Sequence, residues 1–249
     1  MIQITNLTKS YGKFSILDKL NLTIEAGQVY GLLGKNGAGK TTLINLILDL
    51  IEKDNGSIQI FGSDHRKLDK SAKARIGVVN EDLALIEEIS GYEFLSFIGK
   101  IYKIPSETLK KRINDLFTYF FEDPADLKKN ISRYSTGMKK KIAFCASVIH
   151  TPDLLILDEP FSGLDPFVAN QMITFLKKYH RTDRVILISS HDLSYVEKVS
   201  THIGVLDKHQ LVFNSTLDNF TENGANELDA ALLGLLKPNE SEIEKIDWV

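Results

Sequence analysis

Short apolar segments alternate with turns along the first third of the chain. Residues Gln28–Leu33 form an apolar segment that ends at Gly34, and its length and composition predict a buried strand. Lys40–Leu50 is longer and rich in leucine and isoleucine, which predicts a helix. The segment Ile58–Phe61 alternates apolar and polar residues, and Arg75–Val79 is again apolar, so both predict further strands.

From about residue 83 to residue 149 the pattern becomes mainly helical. Amphipathic spacing predicts helices at Tyr92–Tyr102, Ser106–Phe121 and Thr136–Ile149. Strand patterns then return, separated by helical stretches, at Leu154–Leu157, Val185–Ile188 and Ile203–Leu206. This alternation is typical of an α/β fold with parallel strands and crossover helices.

We therefore predict one α/β domain over residues 1–221, interrupted by a helical insertion at about residues 82–149. Residues 222–249 form an acidic C-terminal tail, for which we predict a helix at Asn226–Leu236 followed by a loose end.

Composition excludes several classes of protein. Hydrophobic residues make up 43% and charged residues 25% of the 249 residues, as in ordinary globular proteins. The net charge is −3, so the chain as a whole does not attract nucleic acid electrostatically. The longest apolar run, Ala230–Leu236, is far shorter than the roughly 20 residues of a membrane span. The first residues lack the features of a signal peptide, and the single cysteine, Cys145, cannot form an internal disulfide. We expect a soluble protein of the cytoplasm, with Cys145 buried as a small apolar residue.

The clearest chemical signal is a glycine-rich loop between the first predicted strand and the first predicted helix. It fits the pattern G-x-x-x-x-G-K-[ST] and runs Gly34-Lys35-Asn36-Gly37-Ala38-Gly39-Lys40-Thr41, followed by Thr42. Glycines let successive backbone N–H groups surround an anion, and the helix N-terminus adds partial positive charge. Lys40 can reach the β- and γ-phosphates, and the Thr41 hydroxyl can bind Mg²⁺. These residues therefore predict an ATP site.

Two acidic residues follow the buried strand Leu154–Leu157. Ligands of open α/β sheets bind beyond the carboxyl ends of the strands, so Asp158 and Glu159 are expected to face the nucleotide. Asp158 fits a Mg²⁺ ligand, and Glu159 fits a base that orients the attacking water.

Together these features resemble the ATP-binding subunit of an ABC transporter, over roughly residues 1–220. The resemblance implies a P-loop ATPase core with a parallel sheet, a small antiparallel β part and an inserted helical subdomain. Tyr11 matches the aromatic residue that stacks on adenine, Asp165 lies in the D-loop match Ser162–Asp165, and His191 matches the switch histidine that contacts the γ-phosphate.

The family's signature motif has its match at Tyr134-Ser135-Thr136-Gly137-Met138. This segment departs from the common Leu-Ser-Gly-Gly-Gln at three of five positions but keeps the serine and the second glycine. In the family the motif completes the ATP site of a second copy. The resemblance therefore implies a head-to-tail dimer that holds two ATP molecules, as a homodimer or as a heterodimer with a related ATPase subunit.

The Q-loop match departs from the family at its central residue. In the alignment of Ile76–Glu81, Glu81 takes the place of the usual glutamine, whereas a shift of one residue would offer Asn80. An ionised carboxylate cannot donate a hydrogen bond, so the role of Glu81 would lie with Mg²⁺ or water. We favour Glu81.

The same loop points to a subfamily. Glu81, the segment Ser90–Leu95 and the tyrosine-containing signature look like bacterial export cassettes of the bacitracin, drug and lantibiotic-immunity kind. The resemblance implies hydrolysis of MgATP, an integral membrane permease as partner and a position on the inner face of the membrane. The alternatives are a soluble ABC ATPase that acts on ribosomes or nucleic acid, and a subunit that binds ATP without turnover. The lysines 139–141 indicate a solvated or ATP-facing helix surface rather than a nucleic-acid site.

Overall fold

The computed structural model describes residues 1–236, in which ten strands and nine α-helices form two sheets and their covering layers. The strands are β1 (Ile2–Tyr11), β2 (Phe14–Ile24), β3 (Val29–Leu33), β4 (Asn55–Ile60), β5 (Ser63–Asp64), β6 (Ile76–Val79), β7 (Leu154–Asp158), β8 (Val185–Ser189), β9 (His202–Asp207) and β10 (Gln210–Thr216). The helices are α1 (Lys40–Ile47), α2 (Lys70–Lys73), α3 (Gly91–Ile101), α4 (Ser106–Phe120), α5 (Thr136–Val148), α6 (Pro166–Tyr179), α7 (Leu193–Val199), α8 (Leu217–Phe220) and α9 (Leu228–Leu236).

The larger sheet has six strands in the order β10-β9-β3-β8-β7-β6. Its strands pair in parallel except at one edge, where β10 is antiparallel to β9. Every residue of β3, β7 and β8 is buried, which explains why their sequences are apolar up to the last residues of β7 and β8, Asp158 and Ser189. A second, antiparallel sheet has the order β2-β1-β4-β5. The predicted fold class, with a parallel sheet and a smaller antiparallel part, is confirmed.

The predicted strands and helices are confirmed, with shifts at their ends. Helix α1 ends at Ile47 rather than at Leu50, because Asp49 adopts a positive φ of 57° that stops the helix. The tail helix is present as α9, and the rest of the predicted acidic tail lies outside the described residues. None of the helices within residues 1–236 is both long and apolar enough to cross a membrane.

Helices α3, α4 and α5 lie within the predicted insertion and share one hydrophobic core with β7 and α6. Ser90 and Glu93 form a capping box that starts α3. The rings of Phe120, Phe144 and Phe175 meet where α4, α5 and α6 pack together. Cys145 on α5 is completely buried, and this burial raises the pKa of its thiol. The division of the chain into a core, an insertion and a tail remains a prediction.

Strand β6 approaches the end of α5 so closely that only a glycine fits at position 77. A Cβ added there would collide with the carbonyl oxygen of Ser147 and lie 2.7 Å from Cγ of Pro152. We expect Gly77→Ala to lower the free energy of unfolding by about 1–3 kcal/mol, because the backbone at Ser147 or at Gly77 itself must move. A Cβ added at Gly234 on α9 would have no atom within 4 Å, so Gly234→Ala should raise the free energy of unfolding by up to about 1 kcal/mol. Urea denaturation of both variants tests this contrast, and equal effects would contradict it.

Candidate functional site

A cavity of about 480 Å³ lies at the carboxyl ends of the central strands, between the glycine-rich loop and the acidic end of β7. Its lining combines backbone of the loop with charged side chains from three other segments. The lining residues are Ile16, Asn36, Gly37, Gly39, Lys40, Thr41, Thr42, Glu81, Glu159 and His191. Most of the residues predicted to bind ATP therefore come together here.

The loop presents an uncapped helix end to this cavity. Gly39 precedes α1 with a φ of 105°, a conformation that glycine adopts without strain. No side chain caps the helix, and its first turn contains no acidic residue. The N–H groups of this first turn therefore have no side-chain acceptor, and together with the helix dipole they favour an anion.

Lys40 points back over the loop that carries it, although only 6% of the residue is exposed. Its Nζ donates a hydrogen bond to the carbonyl oxygen of Gly34 at 2.8 Å and a longer one to that of Lys35 at 3.4 Å. The same Nζ lies 3.7 Å from Oε1 of Glu159. A buried ammonium group thus stands between the loop and the acidic end of β7.

Glu159 links this lysine to the histidine that follows β8. Its Oε2 lies 2.8 Å from Nδ1 of His191, and its side chain is 8% exposed against 52% for the histidine. The backbone of Glu159 has a φ of 49°, which is unusual for a residue with a side chain. Such strain concentrates at functional sites, where surrounding structure holds it in place. Here the N–H of Glu159 donates to both the carbonyl and the hydroxyl oxygen of Ser189.

Asp158 lies just below the cavity and is 2% exposed. The hydroxyl of Ser189 donates a hydrogen bond to its Oδ1, and the same hydroxyl accepts the N–H of Glu159 at 3.1 Å. Ser189 therefore holds the carboxylate of Asp158 and the backbone of Glu159. Ser189 is not among the residues predicted from the sequence, where its one signal is its position at the end of a buried strand.

The structure distinguishes the two Q-loop registers. Glu81 lines the cavity that contains Lys40 and Glu159. Asn80 instead lines a second cavity of about 260 Å³, together with His150 and Tyr102. Within the described residues, the buried Oδ1 of Asn80 has no hydrogen-bond partner. The position of Glu81 agrees with the preferred alignment, and its role as a ligand stays a prediction.

Several predicted site residues lie away from this cavity. Tyr11 at the end of β1 is 50% exposed, and Nζ of Lys9 lies 4.9 Å from the centroid of its ring. Ser135 is the exposed N-cap of α5, where its hydroxyl accepts the N–H of Met138 at 3.3 Å. Asp165 caps α6 by accepting two backbone N–H groups. The lining of the cavity also lacks seven other predicted site residues. These are Gly34, Lys35, Ala38, Asp158 and the signature residues Thr136, Gly137 and Met138.

The unusual tyrosine of the signature segment has a structural role. Tyr134 is 5% exposed, and its hydroxyl donates a hydrogen bond to the carbonyl of Asp126 at 2.6 Å. Burial raises the pKa of this hydroxyl to about 12. A leucine could not make this bond, so Tyr134 anchors the start of α5 to the preceding loop.

The residues around the cavity suit a magnesium ion that arrives with a phosphate. No group of three or more His, Cys, Asp and Glu side chains in residues 1–236 is arranged to hold a metal. The oxygen donors that line the cavity include the Thr41 hydroxyl and the carboxylate of Glu81, and the carboxylate of Asp158 lies at the end of β7 next to Glu159. Magnesium commonly binds one or two protein carboxylates together with substrate phosphates and water, and this donor set fits that arrangement.

Comparison with known proteins gives consistent relatives. The family described as "ABC transporter" matches residues 17–162. The bacitracin transport ATP-binding protein BcrA of Enterococcus faecalis is 35% identical over 213 residues, which cover 85% of this chain and 68% of that protein. The lantibiotic transport ATP-binding protein SrtF of Streptococcus pyogenes is 32% identical over 218 residues, which cover 88% and 92% of the two chains.

Solved structures share the same fold. A structure described as the ATP-binding subunit of an ABC transporter superposes with a TM-score of 0.86 at 25% identity, covering 95% of this chain and 100% of the other. A dimeric ATP-binding cassette with bound ADP and Pi gives a TM-score of 0.77 at 22% identity, covering 87% and 99%. The overall fold of this chain is thus that of known ATP-binding cassettes.

Proposed function

Since this chain belongs to the ABC transporter family, we propose that it is the ATP-hydrolysing subunit that drives export through a separate membrane permease. The observation that carries the proposal is the line of polar contacts from Lys40 through Glu159 to His191, set beside an uncapped helix end. This combination offers a cation and N–H groups for a triphosphate, and a carboxylate for a water molecule.

Binding begins at the loop. The phosphates of ATP accept hydrogen bonds from the loop and from the first turn of α1, where the helix dipole favours negative charge. Lys40 exchanges its contacts with the Gly34 carbonyl and Glu159 for phosphate oxygens. The exposed ring of Tyr11 is available to stack on the adenine.

Hydrolysis depends on Glu159. Once Lys40 turns to the phosphates, the carboxylate of Glu159 can accept a hydrogen bond from water and orient it toward the γ-phosphate. His191 holds Oε2 of this carboxylate through Nδ1 and keeps an exposed edge that can contact the phosphate. Mg²⁺, held by Thr41, Asp158 and Glu81, would neutralise charge on the phosphate oxygens.

A second copy of the chain completes the site. Ser135 and Gly137 lie at the exposed start of α5, outside the cavity of their own chain, where they offer a hydroxyl and backbone N–H groups. In a head-to-tail homodimer they cover the γ-phosphate held by the partner. ATP binds the closed pair more tightly than the separated chains, and hydrolysis removes that preference.

The names of the relatives indicate the kind of compound that is transported. The proteins named above are transport ATP-binding proteins for bacitracin and for a lantibiotic. We infer an export system for a compound of that kind, with this chain bound to the inner face of the membrane by its permease. None of the relatives reported above is named for ribosome or nucleic-acid binding, so that alternative has no support.

Mixing two inactive variants tests the ATPase and the dimer together. Glu159→Gln damages the site formed by the loop of its own chain, whereas Gly137→Asp damages the site of the partner. A Cβ at Gly137 meets no atom closer than 3.9 Å, so this variant should fold. In a mixed dimer one site carries both changes and the other carries none.

We expect each variant alone to release phosphate from MgATP at less than about 1% of the wild-type rate. A 1:1 mixture, prepared before nucleotide is added, should recover up to about a quarter of that rate, because half of random dimers are mixed and each has one intact site. An inactive wild type would contradict the ATPase. Active single variants or a mixture without recovery would contradict the shared site.

A further inference from the structure

The three consecutive lysines of α5 point in three different directions. Lys139 pairs with Oε1 of Glu87 at 2.6 Å, and Nζ of Lys141 lies 5.6 Å from the centroid of the Phe121 ring. Lys140, between them, turns instead toward the segment that follows β7. The sequence predicted a solvated or ATP-facing surface for these lysines, and the contacts of Lys140 place it beside the turn of Glu159, which lines the cavity.

Lys140 holds both ends of the turn that begins at Glu159. Its Nζ donates hydrogen bonds to the carbonyl oxygen of Glu159, at 3.4 Å, and to that of Ser162. The turn is closed by a bond of 3.3 Å from the N–H of Ser162 to the carbonyl of Glu159. Phe161, inside the turn, is 2% exposed and anchors it in the core.

The side chain of Lys140 is partly buried, and this burial lowers its pKa. The carboxylates of Glu159 and Glu81 oppose that shift. A hydrogen bond from a charged group in such an environment contributes more than one on the open surface. Lys140 therefore stabilises the position of this turn more than a solvated lysine could.

We propose that Lys140 is a positioning residue, which ties helix α5 to the backbone of Glu159 and so sets the place of the catalytic carboxylate. The inference rests on the proposed function, because it gives Glu159 the role of orienting water. Glu159 needs such support, since its φ of 49° is strained.

This contact also connects the two ATP sites of the dimer. Lys140 lies five residues after Ser135 on one helix, a distance of about 7 Å along the axis. Ser135 contacts the ATP held by the partner chain, whereas Lys140 contacts the turn that serves the chain's own ATP. A shift of α5 on closure of the dimer is thus transmitted to Glu159 of the same chain.

Steady-state hydrolysis by the full chain tests the role. Lys140→Met should lower kcat by about 10- to 100-fold, the loss expected for hydrogen bonds from a charged group, and leave KM for ATP within about twofold. Lys140→Arg keeps a long cationic donor and should restore most of the rate. Lys139→Met, the matched control on the same helix, should behave as wild type. Thermal unfolding of each variant reports whether it folds.

Hydrogen exchange of residues 159–165, followed by mass spectrometry without nucleotide, tests the tie independently of activity. Exchange should be about tenfold faster or more in Lys140→Met and unchanged in Lys139→Met. Unchanged exchange in Lys140→Met overturns the proposal, and so does faster exchange with an unaltered kcat. If wild-type protein hydrolyses no ATP, the proposed function fails, while the exchange result still decides whether Lys140 holds the turn.

Discussion

Glu159→Gln is expected to lower kcat for ATP hydrolysis by roughly 10²–10⁴-fold, the range associated with loss of a general base. Glutamine has nearly the same shape but cannot accept a proton from the attacking water. ATP affinity should be retained, because the loop and Lys40 remain intact. The attraction between Glu159 and Lys40 across 3.7 Å also disappears, which leaves Lys40 available to the phosphates. The dimer should therefore accumulate with ATP bound.

Phosphate release, equilibrium binding of a fluorescent ATP analogue and sedimentation measure these three effects. Glu197→Gln, at an exposed position on α7, makes the same chemical change away from the cavity and should leave all three unaltered. A Glu159→Gln protein that turns over near the wild-type rate would remove Glu159 from the mechanism.

Lys40→Ala is expected to weaken ATP binding itself, by on the order of 10²-fold, as for loss of buried hydrogen bonds to a charged group. The change removes the only side-chain cation of the glycine-rich loop that lines the cavity. It also leaves the carbonyl of Gly34 without its donor at 2.8 Å, so a modest loss of stability should accompany it. The loss of ATP affinity and the loss of stability both follow from removing the ammonium group of one residue, Lys40, which is 6% exposed.

Lys35→Ala is the matched control for this prediction. Lys35 lies in the same loop, but it is exposed and only its backbone carbonyl contacts Lys40. Calorimetry with MgATP should find near wild-type affinity for Lys35→Ala and weak binding for Lys40→Ala. Equal affinities would count against the phosphate-binding role of the loop.

The central strands could be predicted well because burial on both faces makes them apolar up to their last residues, where Asp158 and Ser189 end β7 and β8. This holds for β3, β7 and β8, whose positions are all buried. The end of α1 could not be predicted to the residue. Asp49 stops the helix through its backbone conformation, whereas the apolar pattern continues to Leu50.

In the candidate site, too, some features could be predicted from the sequence and others could not. The glycine-rich loop follows β3 and the acidic pair ends β7. Because ligands bind beyond the carboxyl ends of the strands of such a sheet, Lys40 and Glu159 could be expected to meet there. The sequence favoured Glu81 over Asn80 only through the preferred alignment, because one residue of slip reverses the face on which a side chain lies. The strained φ of Glu159 could not be predicted, because it depends on contacts from Ser189 and Lys140.

Consecutive helical residues differ by about 100° in direction, and a run of like charges conceals this difference. Only the positions of Glu87, Phe121 and the Glu159 turn separate the three lysines of α5 into three roles.

Tyr11 and Ser135 lie apart from the cavity in the single chain. Their proposed roles therefore depend on the adenine base of ATP and on a partner chain, which a single sequence does not contain.

The complete burial of Cys145 has a practical consequence. Its thiol is the only one in the chain, and its raised pKa disfavours the thiolate that reacts with maleimides. A new cysteine at an exposed position away from the cavity, such as Glu197 on α7, can therefore carry a spin label or fluorophore with little background. The native background can stay unmodified while distances between two subunits are followed through a catalytic cycle.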